Sequence, residues 1–77
     1  MKIVETMTSD EAMKLFRSYG IGMAYEKLTA LIDSGVGERN GWAVSGEGPG
    51  GKRFRIIFRR PLVEWLESMA EDKEVRQ

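Results

Sequence analysis

The chain has 77 residues, with twelve lysines and arginines against twelve aspartates and glutamates, and it contains neither cysteine nor histidine. The length suits one small domain, and the missing residue types exclude disulfides, cysteine or histidine zinc sites and histidine-based acid–base catalysis by the chain's own side chains. No apolar run is long enough to span a bilayer and the N-terminus lacks a signal-peptide pattern, so we expect a cytoplasmic protein.

The opening segment predicts an extended lead-in followed by an amphipathic helix. Ile3 and Val4 suit a short edge strand. Thr8 and Glu11 have the spacing of a capping box, in which each side chain accepts a hydrogen bond from the other residue's backbone N–H. The apolar positions that follow recur at i, i+3, i+4 and i+7, and they are Ala12, Leu15, Phe16 and Tyr19. We therefore predict a helix that begins after Thr8 and ends near Gly20.

A second helix is predicted after a break at residues 20–22, where two glycines permit a sharp turn. It begins near Ala24 and ends at Gly35, because glycine is favoured just past a helix C-terminus. Its apolar side consists of Ala24, Leu28, Leu31 and Ile32. Two helices joined by a glycine-bearing turn form the outline of a helix-turn-helix.

A β-hairpin is predicted in the middle of the chain. Residues 36–41 are polar and contain glycine, so we expect a loop there. Residues 42–45 and residues 52–60 then flank a glycine-rich turn.

The second strand of this hairpin alternates apolar and basic residues, which is the period of a half-buried strand. Its apolar members are Phe54, Ile56 and Phe58. Its basic members are Arg53, Arg55 and Arg59. We expect the apolar members to face the core and the cations to face solvent.

A closing helix follows Pro61, a residue that fits the first turn of a helix. Its apolar stripe consists of Leu62, Trp65, Leu66 and Met69. Residues 71–77 are acidic with little to bury, so we predict a frayed tail after a single domain of residues 1–70. The sequence predicts an α+β fold in the order helix, turn, helix, hairpin, helix, with a short N-terminal strand also allowed.

The charges are distributed unevenly although they cancel in total. Residues 35–60 carry six cations and two carboxylates, a net charge of +4. Residues 1–34 have a net charge of −1, and residues 61–77 have a net charge of −3. The middle of the chain is therefore a local basic patch of the kind that an anionic partner requires.

Three stretches resemble the small excisionase and MerR-type winged helix-turn-helix proteins. Residues 9–16 are similar to the family's opening helix, in which an acidic residue and alanine precede two large apolar residues. Residues 28–35 are similar to its second helix, and residues 55–67 resemble its last strand and closing helix, down to the Trp65-Leu66 pair. The stretches stand in the family's order and cover most of the chain.

The resemblance implies a protein that binds double-stranded DNA, with the second helix in the major groove and the hairpin as a wing on the backbone or minor groove. It further implies an excisionase-like accessory protein of a mobile element or phage, which directs a site-specific recombinase (integrase). A small phage or plasmid transcription regulator of the same fold is the first alternative. A protein-interaction module without DNA binding, whose acidic closing helix and tail bind a basic partner, is the second. For the DNA-binding roles we expect nucleoid association and self-association along repeated sites.

Candidate DNA contacts on the second helix follow from its apolar side. With that side toward the core, Tyr25, Lys27 and Thr29 project outward from the N-terminal half, which enters the major groove in a helix-turn-helix. Residues 24–30 contain no arginine, so we expect the wing to supply more of the affinity than this helix.

Candidate contacts on the wing are Lys52, Arg53 and Arg55, which follow a glycine tip and suit phosphate or minor-groove binding. Arg59 and Arg60 stand at the strand–helix junction, where they either hold a phosphate or pair with Glu64 and the acidic tail.

A nucleotide-binding loop is excluded although residues 46–52 match its glycine and lysine spacing. Arg53 stands where a serine or threonine would hold magnesium, and a strand pattern follows instead of a helix. No nucleophile–base pair accompanies the carboxylates. We therefore expect no enzyme activity, no cofactor, no metal and no nucleotide.

Overall fold

The computed structural model describes residues 5–75, with side chains described for residues 5–70. Apart from a 3-10 turn at Pro49–Gly51, the elements in this range are β1 (Thr6–Met7), α1 (Ser9–Ser18), α2 (Tyr25–Asp33), α3 (Val36–Arg39), β2 (Ala43–Glu47), β3 (Arg53–Phe58) and α4 (Arg59–Val75). The three strands form one antiparallel sheet in the order β1-β3-β2. The predicted α+β class is confirmed for the described residues. Ile3 and Val4, expected to be extended, lie outside them, and β1 begins just after.

The capping box predicted at the start of α1 is present. The Thr8 backbone N–H donates to Glu11 Oε1 at 2.9 Å, and the Glu11 backbone N–H donates to Thr8 Oγ1 at 3.2 Å. Ala12 and Phe16 are buried on the predicted apolar stripe. The helix ends at Ser18, and Gly20 turns the chain with a φ of +81°.

Helix α2 ends as predicted, before Gly35 with its φ of +92°. Leu28 and Ile32 bury its apolar side in the core. Ala24, predicted on that side, is instead exposed, because it is the extended N-cap residue and precedes the first helical turn.

The loop predicted for residues 36–41 is wrong for Val36–Arg39, which forms the one-turn helix α3, and only residues 40 and 41 form a turn. The prediction failed because a polar, glycine-bearing run has the composition of a loop. Gly37 is buried against the start of β2, and a Cβ atom there would lie 2.8 Å from Ala43 Cβ. The glycine therefore serves a close packing contact between α3 and β2.

The hairpin is present, but the predicted faces of β3 are reversed. Ile57 is buried with 2% exposure, whereas Phe54 and Ile56 are 44% and 37% exposed. Since side chains alternate along a strand, Arg53 and Arg55 lie on the same face as Ile57. The alternation sets the period without specifying the buried side, and here Ile57 pairs with the buried residue Ala43 and fixes the orientation.

The centre of the core is an aromatic cluster around Trp42, which is fully buried. The Trp42 ring stacks on Trp65 of α4 with centroids 5.2 Å apart, and Phe16 of α1 meets it edge-on at 6.0 Å. Leu62 and Leu66 bury the first turns of α4 against this cluster.

Helix α4 is only partly covered by the rest of the domain. Met69, predicted on its core stripe, is 37% exposed. The backbone of the predicted tail, residues 71–77, continues α4 to Val75, and the remainder of that prediction lies outside the described residues. Within the described chain, no helix combines the length and the apolar character that a bilayer crossing requires.

Two glycines in the α1–α2 turn differ in backbone conformation but have equally open surroundings. Gly20 has a φ of +81°, Gly22 does not have a positive φ, and a Cβ atom at either position meets nothing within 4 Å. We expect Gly20→Ala to lower the free energy of unfolding by about 1–2 kcal/mol, because alanine is strained in the left-handed region. Gly22→Ala should stay within about 0.5 kcal/mol of the parent. Urea unfolding of both variants measures this, and an equal destabilisation of the two would contradict the assigned turn.

The orientation of β3 is tested by two adjacent isoleucines. Ile57→Ala should lower the free energy of unfolding by about 2–5 kcal/mol, because it opens a cavity in the core. Ile56→Ala should lower it by no more than about 1.5 kcal/mol, because its side chain already contacts water. Urea unfolding gives both values. If Ile56→Ala lowered the free energy of unfolding more than Ile57→Ala, the result would contradict the observed orientation of β3 and support the one predicted from the alternation pattern.

Candidate nucleic-acid interface

The hairpin predicted to act as a wing, and called the wing below, is formed by β2 and β3, which pair from Ala43 opposite Ile57 to Glu47 opposite Arg53. At its tip the Gly48 backbone N–H donates to the Lys52 carbonyl at 2.6 Å. Gly50 and Gly51 have φ values of +77°, which glycine adopts without strain. Lys52 is exposed immediately after this turn.

The two wing arginines converge on a carboxylate of α2. Arg55 donates to Asp33 through Nε at 3.0 Å and through Nη2 at 2.7 Å, and Arg53 donates through Nε at 3.3 Å. The three side chains remain partly open to water, with exposures of 26% for Arg55, 45% for Arg53 and 35% for Asp33. Asp33 thus ties the wing to the C-terminal end of α2.

These contacts shift the charge equilibria of the pair. The hydrogen bond from Arg55 lowers the pKa of the Asp33 carboxyl below its ordinary value of 3.8, with a smaller contribution from Arg53. The same hydrogen bond raises the pKa of Arg55. Both side chains are therefore charged at neutral pH.

Asp33 completes a row of side chains along α2. Tyr25, Thr29 and Asp33 are spaced four residues apart, so they lie above one another on one side of the helix. Tyr25 is 54% exposed and close enough to Arg55 to contribute to its raised pKa. The Thr29 hydroxyl donates to the Glu26 carbonyl at 3.0 Å. Because Asp33 contacts both wing arginines, this row places Tyr25 and Thr29 on the side of α2 that faces the wing.

Lys27 does not belong to this row. It is two residues from Tyr25 and Thr29, which places it about 200° around the helix from each. It lines a shallow groove beside the α1–α2 turn, formed with Ile21, Gly22, Ala30, Leu31 and Ser34. The helix residues predicted to contact one DNA site thus lie on two flanks of α2.

The cations at the β3–α4 junction differ in their surroundings. Arg59 pairs with Glu5 and with Glu11, the latter at 3.2 Å, and its backbone N–H donates to the Glu5 carbonyl at 3.0 Å. The capping hydrogen bonds from Thr8, followed by Arg59, lower the pKa of Glu11. Arg60 is exposed, and among the described side chains no ion pair involves it or Glu64.

The opposite face of the sheet is apolar and partly exposed. Phe54 lies over Gly46, where a Cβ atom would come within 3.1 Å of its ring. Ile56 is adjacent on the same face. The reversal of β3 thus places Phe54 and Ile56 away from the core, while Arg53 and Arg55 lie beside α2.

Asp33 is the member of this surface that the sequence did not identify. Its spacing of four residues from Thr29 places it on the same side of α2, which the sequence shows. The sequence does not show that β3 lies alongside α2 and brings Arg53 and Arg55 to this carboxylate. Among the described residues, no group of three or more acidic side chains is placed to hold a metal ion. Comparison of the chain with protein-family models, with curated proteins and with solved structures found no match.

The Asp33 contacts predict a pH-dependent stability. The pKa of Asp33 is lower in the folded than in the unfolded state, so its ion pairs stabilise the fold above the unfolded value and lose that effect as the pH falls through the folded value. Asp33→Asn should therefore be less stable than the parent at neutral pH. The difference should shrink below about pH 4. Urea unfolding across this range measures it.

The control for this experiment is Glu26→Gln, which neutralises another exposed carboxylate of α2 that has no ion pair among the described side chains. Its stability difference from the parent should not converge in the same way. A difference for Asp33→Asn that stays constant from neutral pH to acid would contradict the assigned ion pairs.

Proposed function

We propose that the protein binds double-stranded DNA as a small winged helix-turn-helix domain. Helices α1 and α2 correspond to the helix-turn-helix, and the β2–β3 hairpin corresponds to the wing. The observation that carries the proposal is the shared surface of α2 and the wing. On it, Tyr25 and Thr29 lie on the same side of α2 as Asp33, which contacts Arg53 and Arg55, and Lys52 is exposed at the wing tip.

In this arrangement the N-terminal half of α2 enters the major groove. Tyr25 hydrogen-bonds the DNA backbone, and Thr29 contacts a phosphate or a thymine methyl group. Lys27, on the other flank of α2, reaches a phosphate on the opposite wall of the groove. Because no arginine accompanies these side chains on α2, phosphate contacts supply most of the affinity, and binding depends steeply on salt.

The wing contributes cations that approach the backbone or the minor groove. Lys52 follows a glycine tip that permits close approach to another backbone. The guanidinium groups of Arg53 and Arg55 suit bidentate phosphate contacts. At the junction with α4, the exposed Arg60 is available to a further phosphate, whereas Arg59 already contacts Glu5 and Glu11.

The narrower role proposed is that of an excisionase-like accessory factor, which bends DNA at repeated sites and recruits an integrase. Its support is the family resemblance alone, because no residue of the chain specifies recombination. A transcription regulator of a phage or plasmid shares the same DNA chemistry and differs in its partner. An excision assay with the integrase of the native element distinguishes them, because only the accessory factor changes the direction of recombination.

A second candidate function is a protein-interaction module that does not bind DNA. It is favoured by the exposed carboxylates Glu64 and Glu67 on α4, which suit a basic partner. The α2–wing surface would then be an ordinary solvent-exposed surface, on which Asp33 pairs with Arg53 and Arg55.

A gel-shift titration over a range of salt concentrations tests the DNA-binding proposal. Replacing Lys52, Arg53 and Arg55 together by alanine should weaken binding to any duplex. The slope of log affinity against log salt should become shallower by about 0.9 for each phosphate that the variant no longer neutralises. Lys14→Ala is the control, because it removes an exposed cation from α1.

The titration also separates the candidate functions. An unchanged affinity and slope in the triple variant, with its fold confirmed by circular dichroism, would exclude the wing as a contact. If the parent bound no duplex even at low salt, the DNA-binding class would fail and the protein-interaction module would be favoured.

A further inference from the structure

Asp33 occupies an unfavourable position for a carboxylate. It is the last residue of α2, and the last turn of that helix contains no basic residue. The C-terminal end of a helix carries a partial negative charge, so a carboxylate there is repelled by the helix itself. Arg53 and Arg55, which come from the wing, supply the charge that offsets this repulsion.

The contacts of Asp33 have the geometry of phosphate recognition. Two nitrogens of Arg55 meet the two carboxylate oxygens at 3.0 and 2.7 Å, which is the paired arrangement that arginine also forms with phosphate. Arg53 approaches Oδ1 from the neighbouring position on the same face of β3, at 3.3 Å. One carboxylate is thus shared by two cations, so Asp33, Arg53 and Arg55 together carry a net positive charge.

The cluster is accessible to an external anion. The side chains of Arg53 and Asp33 are 45% and 35% exposed. Ion pairs that remain in contact with water are weak, so a competing anion displaces them readily. Two other ionisable groups lie on the elements that form the site: Tyr25, two turns before Asp33 on the same side of α2, and Glu47, which is opposite Arg53 in the register of the hairpin.

We infer that Asp33 occupies, in the free protein, the position at which Arg53 and Arg55 bind a backbone phosphate of DNA. The inference rests on the proposed DNA-binding function. Asp33 is then a positioning residue that holds the two guanidinium groups side by side. It also lowers the affinity for DNA, because the phosphate has to displace it.

The test compares Asp33→Asn with the parent in the same salt titration. The asparagine retains an oxygen acceptor and loses the charge. At about 0.1 M salt, affinity for a duplex should rise several-fold, up to about tenfold, and the slope of log affinity against log salt should become more negative by about 0.9. Glu64→Gln removes one negative charge from α4 at the opposite end of β3 from the wing tip, and it should leave both quantities unchanged.

A double-mutant cycle attributes the gain to the arginines. Asp33→Asn added to the Arg53→Ala and Arg55→Ala variant should raise affinity by much less than in the parent, because the phosphate site is then missing. Asp33→Ser serves as a second variant if Asp33→Asn is found by circular dichroism to be unfolded at the assay temperature.

The outcomes separate this inference from the proposed function. The inference would be overturned, with DNA binding intact, if both folded Asp33 variants bound DNA equally to the parent or more weakly while the variant lacking Lys52, Arg53 and Arg55 bound more weakly than the parent. An equal gain with and without the arginines would also overturn it, since the effect would then be one of overall charge. Absence of binding by the parent and by every variant would overturn the proposed function together with the inference.

Discussion

The burial of Trp42 is the constraint on which the rest of the structure depends. This single side chain joins the beginning of β2 to α1 through Phe16 and to α4 through Trp65. In so small a domain few side chains are fully buried, so one large aromatic residue supplies a substantial part of the apolar contact that offsets chain entropy. Gly37 permits this arrangement, because its missing side chain leaves room for Trp42 and Ala43.

The position of Trp42 also decides which way the sheet faces. With Ala43 directed into the core, its partner Ile57 on β3 is directed there as well. The pleat then carries Arg53 and Arg55 on that same face, beyond the edge of the core, where Asp33 of α2 meets them. The candidate DNA surface is therefore a consequence of packing. The arginines lie beside α2 because Ala43 and its partner Ile57 are both buried in the core.

The resulting surface contains both cations that attract an anion and a carboxylate that partly neutralises them. Its cations are concentrated by the fold, while Asp33 neutralises part of their charge and fixes their orientation. Exposed arginines lose side-chain entropy when they bind a ligand, and an internal partner removes some of that loss in advance. In the proposed DNA-binding role, the same partner competes with the phosphate, so Asp33 sets both the orientation of the arginines and their affinity.

The local elements were determined by the sequence itself. The capping box at Thr8, the glycines after α1 and α2 and the glycine-rich hairpin turn act through neighbouring residues, and their effects were predictable because backbone conformation there depends on short-range sterics and hydrogen bonds. The buried face of β3, the one-turn helix α3 and the contact between Asp33 and the wing arginines were decided by the tertiary structure. Each depends on residues distant in sequence, and an alternating strand pattern is equally regular on both of its faces.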